Sequence, residues 1–311
     1  MRVSLFYNRH AGGGVPLDHI RDAIALHDHE LVRVVEDRGE VERVLEERPD
    51  VVVAAGGDGT IAHVARLLAH RGIPLAILPL GTANNIARSV GITASIDDLI
   101  GGWETAWRLP LDLGVAEGAW GRTHFVEAVG GGLIPTAIAD VKSRADEDVP
   151  ARSEDVPARS KVIGAVRAFK QVLSRLQPRE WTIVADGARM TGEFLLVEIL
   201  NIRSIGPNLV FSSGATPLDG LFQVVVAGEE HREDIARYLQ DLLEGRSDPP
   251  SLTWQSAREV TLQGTTDIHV DDKVLTGSAD RTVSVCIEAG ALELLVTPAD
   301  QELRHHTPSA V

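Results

Sequence analysis

Apolar and polar positions along the first hundred residues keep two alternating rhythms. Runs of apolar residues, "RVSLFYN", "ELVRVV", "DVVVAA" and "PLAILPL", read as strands. Between them, "LDHIRDAIALH", "EVERVLEER" and a segment from about Thr60 to His70 repeat apolar residues at helical spacing, and a further helix opens near Thr82. Strands with so little polar alternation, separated by amphipathic helices, predict βαβ units and a parallel sheet covered on both faces. In such sheets ligands gather beyond the carboxyl ends of the strands.

After Leu109 the rhythm changes to short runs punctuated by glycine, as in "LPLDLGVAEGAWGRTHFVEAVGGG". "EWTIVADG", "EFLLVEILN", "GLFQVVVAG", "REVTLQG", "RTVSVCIE" and "ALELLVTP" follow as strand candidates, with helices near 133–144, 161–176 and 231–244. The pattern predicts an α/β domain over 1–108 and a β-rich sandwich domain over 109–297, with a polar tail, 298–311, free to return to the first domain. Residues 147–160 repeat seven residues in tandem, "EDVPARSEDVPARS". Without apolar periodicity such a stretch does not offset the cost of ordering, so 145–160 is expected to be a mobile loop. The helical stretch "KVIGAVRAFKQVLSRL" puts Val162, Val166, Phe169, Leu173 and Leu176 on one face, which suits either docking on the second domain or contact with a membrane surface.

Composition narrows the function classes. Thirty lysines and arginines against 45 aspartates and glutamates give a net charge of −15, which argues against nucleic acid as a partner. One cysteine, Cys286, excludes an internal disulfide framework and sits in a strand pattern. No apolar run reaches the roughly 18 residues of a membrane span, and the first residues lack a signal-peptide pattern. The expectation is a cytoplasmic protein. Its strand edges leave a homodimer open.

Three loops then carry the chemistry. "VVVAAGGDGTIAHVARLL" ends a buried strand in Gly56, Gly57, Asp58, Gly59 and Thr60 before a helix. Glycines let a ligand approach the backbone, and the helix N-terminus offers N–H groups and a positive dipole end to phosphate. Asp58 is placed to hold a magnesium ion through water or to orient an attacking hydroxyl. One βα unit later, "LPLGTANNIARSVGI" repeats the logic with Gly81, Thr82 and Asn84. "YNRHAGGG" adds Asn8, Gly12, Gly13 and Gly14 after the first strand. Three such loops on one rim predict a nucleotide site.

"GGDGT" followed by "PLGTAN" resembles the diacylglycerol kinase catalytic family, which includes bacterial soluble lipid kinases and the sphingosine and ceramide kinases. "FVEAVGGGLIP", "ILNIRSIGPNLVFSSGATPLDGLFQVVV" and "IHVDD" follow in the order expected of the second domain, so the resemblance covers about residues 2–297. It implies ATP held by the first domain's loops, with Asn8, Gly56, Gly57, Asp58, Gly59, Thr60 and Thr82 at nucleotide-contacting positions. It also implies Asp219 in a magnesium-associated loop, and transfer of the γ-phosphoryl group to a lipid hydroxyl, most simply that of diacylglycerol, at the inner face of the membrane. Three positions depart from the family pattern. His63 stands where a glutamate is common, Asn85 where an aspartate follows "GTAN", and Lys273 where a carboxylate accepts the hydroxyl proton. Asp271, Asp272 and Asp58 are the carboxylates able to replace it. A nucleotide- or lipid-binding protein with little turnover and an NAD kinase stand as the alternatives.

Overall fold

A computed structural model describes residues 1–12, 14–36, 41–147, 158–250, 252–264, 267–275 and 282–299. These fall into two compact units. One comprises Met1–Leu113 together with the chain from Ala289 onward, and the other Gly114–Glu288. The change of unit therefore comes five residues after the expected boundary, and the chain re-enters the first unit before the tail.

The first unit begins with strands β1 (Arg2–Tyr7), β2 (Glu30–Val35), β3 (Val51–Gly56) and β4 (Leu75–Pro79). Helices α1 (Leu17–Leu26), α2 (Val41–Glu46), α3 (Asp58–Leu68), α4 (Asn85–Ser89) and α5 (Ile96–Gly101) connect or follow them. The strands pair in parallel, as the rhythm of the sequence predicts, in the order β2-β1-β3-β4. Val51 to Ala55 of β3 are fully buried, which is why this strand shows no polar alternation. Helix α3 turns Ile61, Ala62, Val64, Ala65 and Leu68 inward, and each large aliphatic buried this way contributes about 1.5–3 kcal/mol.

Two boundaries moved for local reasons. Helix α3 starts at Asp58 rather than Thr60, because Gly57 in an extended conformation serves as its N-cap. Helix α4 starts at Asn85 rather than near Thr82. Asn84 lies in the left-handed region (φ 52°), and its side chain bonds the preceding turn instead of continuing a helix.

The second unit holds β5 (Trp107–Gly118, which enters it at Gly114), β6 (Gly121–Phe125), β7 (Ala128–Gly132), α6 (Leu133–Glu147) and α7 (Ala158–Arg175). It continues with β8 (Arg179–Ala185), β9 (Ala188–Phe194), β10 (Leu196–Leu200), β11 (Ser204–Ile205), β12 (Leu209–Val210), β13 (Phe222–Ala227) and α8 (Arg232–Leu243). Strands β14 (Thr253–Ala257), β15 (Glu259–Gly264), β16 (Ile268–Val270), β17 (Lys273–Leu275) and β18 (Thr282–Val296) complete the chain. One antiparallel sheet runs β14-β13-β10-β7-β16-β17, and another runs β18-β15-β8-β9. Strand β10 shows why two layers form. Val197 and Ile199 enter a core shared with Trp181, Phe222 and Leu262, whereas Leu196 and Leu200 enter a core shared with the helices through Phe169, Leu173 and Tyr238. The molecule is thus an N-terminal α/β domain with a parallel sheet and a C-terminal β-sandwich domain.

"RTVSVCIE" and "ALELLVTP", expected as two strands, form the single 15-residue β18, which passes through Gly290 at φ 62°. Helices α6 and α7 extend into both ends of the expected 145–160 loop, and residues 148–157 of the tandem repeat lie outside the described residues. The apolar face of α7 is docked, with Val166, Phe169 and Leu173 in the helix-side core and Lys170 bonded to Gln240 on α8. Among the described residues no helix is long and apolar enough to cross a membrane.

Candidate functional site

At the carboxyl ends of β1, β3 and β4 the three glycine-bearing loops lock together within the first unit. Asn8 donates its backbone N–H to Ala55 O (2.9 Å) and its amide to Thr60 Oγ1 (3.3 Å), joining the first loop to the second. Leu80 N–H donates to Gly56 O (2.9 Å), joining the second to the third. The contacts are close enough that side chains do not fit. A Cβ on Gly81 would overlap the Cα of Gly57, one on Gly56 would lie 2.6 Å from Thr60 Oγ1, and one on Gly12 2.8 Å from Thr82 Oγ1. These glycines keep the three loops within reach of one another.

Asp58 is the hinge of this cluster. As the first residue of α3 it belongs to the second loop, yet its Oδ1 accepts the N–H of Ile86 (2.9 Å) and so caps α4 of the third loop. Burial pushes its carboxyl above the ordinary range, against the opposing pull of N–H groups from Ile86, Asn85 and Asn84. Asn84 closes the third loop on itself. Its Oδ1 accepts from Gly81 N–H (2.8 Å), and its amide donates to the carbonyls of Pro79 (3.2 Å) and Gly81 (3.1 Å). Asp58 and Gly59 stand in the first turn of α3, where the helix itself has no i−4 carbonyl to offer their N–H groups. A Cβ-free cradle beside a helix N-terminus suits a nucleotide phosphate. Thr60 and Thr82 are half-buried at its rim.

The other predicted residues lie in the second unit. Asp271 and Asp272 form the two-residue turn between β16 and β17. Asp271 is buried at φ 51°, and its Oδ1 accepts from the N–H groups of Val126 (3.2 Å) and Glu127 (2.8 Å). Asp272 and Lys273 are exposed. Asp219 is exposed in a turn of its own, where its Oδ1 accepts from Leu221 N–H (3.0 Å). Among the described residues neither Asp58 nor Asp219 joins a cluster of three close carboxylates or imidazoles. Magnesium that keeps its waters and takes phosphate oxygens as ligands needs no such cluster.

Of the departures, His63 is half-buried on α3 with its ring edge-on to Phe6, centroids 6.2 Å apart. Asn85 is buried as the first residue of α4. Sequence reasoning missed Glu198 and His269. They are buried in the second unit and joined by His269 Nε2 to Glu198 Oε2 at 2.9 Å. The only signal was a charged residue inside the apolar run "LLVEIL".

Residues 2–116 match the family model described as diacylglycerol kinase catalytic domain, and residues 139–296 match that of the YegS C-terminal NAD kinase beta sandwich-like domain. A probable lipid kinase YegS-like of Pseudomonas aeruginosa is 31% identical over 290 residues, spanning 89% of this chain and 87% of its own. A diacylglycerol kinase of Mycobacterium tuberculosis is 28% identical over 258 residues, 78% of this chain and 79% of its own. Among solved structures, a putative diacylglycerol kinase from Bacillus anthracis shares the fold with a TM-score of 0.70 at 20% identity, each chain covered to 96%. An NAD kinase from Archaeoglobus fulgidus, solved with ATP, shares it more distantly, with a TM-score of 0.53 at 14% identity over 98% of this chain and 96% of its own.

Proposed function

The chain belongs to the diacylglycerol kinase catalytic domain family, and on that premise we propose that it transfers the γ-phosphoryl group of ATP to a lipid hydroxyl, with diacylglycerol as the acceptor. The observation that carries the reading is the interlocking of Gly12, Gly56, Gly57 and Gly81 beside the N-terminus of α3, an arrangement that suits a phosphate group. In this reading the first unit binds ATP. Asn8, Gly59, Thr60, Thr82 and Asn84 surround the phosphates, and Asp58 holds two of the loops in register. Magnesium, when bound, screens the phosphate charge, with Asp219 the second unit's candidate to attract it. Positioning and charge neutralisation supply most of such a step. The acceptor oxygen bonds to the γ-phosphorus, the bond to the ADP oxygen breaks, and the hydroxyl proton passes to a carboxylate. Asp272 is the candidate for that carboxylate, because it is exposed whereas Asp271 spends its own on Val126 and Glu127. The acceptor lies in a bilayer, and the exposed Lys161 and Arg167 of α7 suit contact with an anionic surface.

Purified protein with labelled ATP, magnesium and vesicles containing diacylglycerol or other lipid alcohols tests the reading. Phospholipid should form, and Asp58→Ala should abolish it. Labelled NADP, formed when NAD is the acceptor, would transfer the chain to the other branch of the fold. Exposed Lys273 favours a second reading, nucleotide binding with little turnover. Lys273→Glu separates the two, since a large gain of activity supports the second.

A further inference from the structure

The pair that sequence reasoning missed has a place in the fold that explains it. Glu198 on β10 and His269 on β16 both face the same residue of the strand between them, Gly130 of β7. A Cβ on Gly130 would overlap the Glu198 carboxylate, so only glycine lets the two side chains meet across β7. The imidazole uses both nitrogens. Nε2 contacts both Glu198 oxygens, at 2.9 and 3.1 Å, and Nδ1 donates to the backbone carbonyl of Asp271 at 2.8 Å.

Asp271 is the first residue of a two-residue hairpin turn and is not glycine, although its φ is 51°. That conformation is held from every side. Asp271 N–H donates to Ala128 O (2.9 Å), its carboxylate receives the Val126 and Glu127 N–H groups, and Lys142 on α6 donates to Asp272 O (3.2 Å). Asn201 holds the other side of the same corner, its amide donating to Val126 O (2.9 Å) and its N–H to Glu127 O (2.9 Å). A buried ion pair contributes little net stability compared with apolar residues of the same volume. Its worth here is therefore conformational. It converts a carboxylate fixed in the sheet into a fixed carbonyl at the turn.

We propose that Glu198 and His269 are positioning residues for the acceptor half of the site, holding the Asp271–Asp272 turn in the conformation that presents Asp272. This rests on the kinase reading given above. Neither residue touches a substrate, and both act through the Asp271 carbonyl.

The test compares two double variants that each remove both charges. In Glu198→Gln/His269→Asn the asparagine amide occupies the place of Nδ1 and still donates to Asp271 O. In Glu198→Gln/His269→Leu that donor is gone. Amide hydrogen exchange over residues 124–130 and 268–275 reads the turn, kcat for the lipid acceptor reads its use, and the Kd of ATP reads the first unit. The leucine variant should exchange about tenfold faster at Val126 and Glu127 and lose about tenfold in kcat, the weight of one lost hydrogen bond, with the Kd of ATP unchanged. The asparagine variant should stay within about threefold of the wild type on all three, less than one lost hydrogen bond would cost. If the leucine variant does not fold, Glu198→Gln/His269→Gln, whose amide reaches the Nε2 position only, takes its place. Exchange at wild-type rates in the variant without the donor would overturn the proposal, and so would fast exchange with kcat intact. If the wild type phosphorylates no lipid alcohol, the kinase reading falls, and exchange alone decides whether the pair anchors the turn.

Discussion

The loop cluster around Asp58 and the turn around Asp271 both fix a carboxylate on backbone N–H groups, but they are assembled in opposite ways. Around Asp58 the partners are successive βα loops, each a strand end followed by glycine, and the fit comes from absent side chains. Around Asp271 the partners come from β7, β10, β16 and α6, and the fit comes from side chains that are present, with His269 and Glu198 at the centre. The first arrangement brings three loop backbones together. The second fills its space and sets an angle. Substitutions should therefore act in opposite senses: adding atoms harms the first region, and removing them harms the second.

The largest effect should follow from taking away one member of the buried pair. His269→Ala leaves Glu198 buried without its cation, and we expect a loss of about 3–5 kcal/mol of unfolding free energy, read by urea denaturation. Next comes an addition. Gly81→Val drives a side chain into the Gly57 backbone and should lower kcat/KM about a hundredfold in steady-state assays, since a displacement of roughly 1 Å at such a site costs that much in rate. Asp58→Asn tests whether its carboxylate matters as a charge or as a cap. Because burial raises the Asp58 carboxyl, the acid limb of kcat/KM should lie above the ordinary carboxylate range, activity falling as pH drops through it. The variant should remove that limb while changing stability by only about 1 kcal/mol, the scale of a helix cap.

The smallest effect is a slope. Burial alone would lower the His269 pKa, but the Glu198 carboxylate outweighs it and holds the imidazole above its usual value, while burial raises Glu198. The folded pair thus binds protons that the unfolded chain releases. The imidazole's share of the stability should be fully present below about pH 6.5 and the Glu198 share below about pH 4.5, each declining as pH rises through that group's folded value, by at most about 1.4 kcal/mol per pH unit for each proton. Urea midpoints measured against Glu198→Gln/His269→Gln across that range check the sign. A flat difference would mean that the pair does not titrate with folding.

How much of each region was legible follows from the same contrast. The parallel sheet and the three glycine loops could be read because each depends on neighbours in sequence, a strand, the helix after it and the glycines between them. The order β2-β1-β3-β4 could not. Helix starts slipped where one residue's side chain competes with the backbone, as Asn84 does before α4. Glu198 and His269 were not legible. In "LLVEIL" and "DIHV" they look like ordinary strand positions, and only the pairing of both strands with Gly130 brings them together. The two strands read from "RTVSVCIE" and "ALELLVTP" were separated at Gly290, whereas Gly290 carries a positive φ inside one continuous strand.

Strand β18 sets an order of events at the ribosome. Its last residues complete the first unit: Leu294 pairs with Leu75 of β4, Ala291 O accepts from His70 N–H, and Gly290 N–H donates to Asp112. Residues 114–288 must be made before that strand emerges. At about 5–20 residues per second the edge of β4 waits roughly 10–45 s, unpaired, while its loops are already synthesised. During that interval the nascent sheet offers an open edge to any passing strand, so holding chaperones have more to do for the first-made part of this protein than for the part made after it.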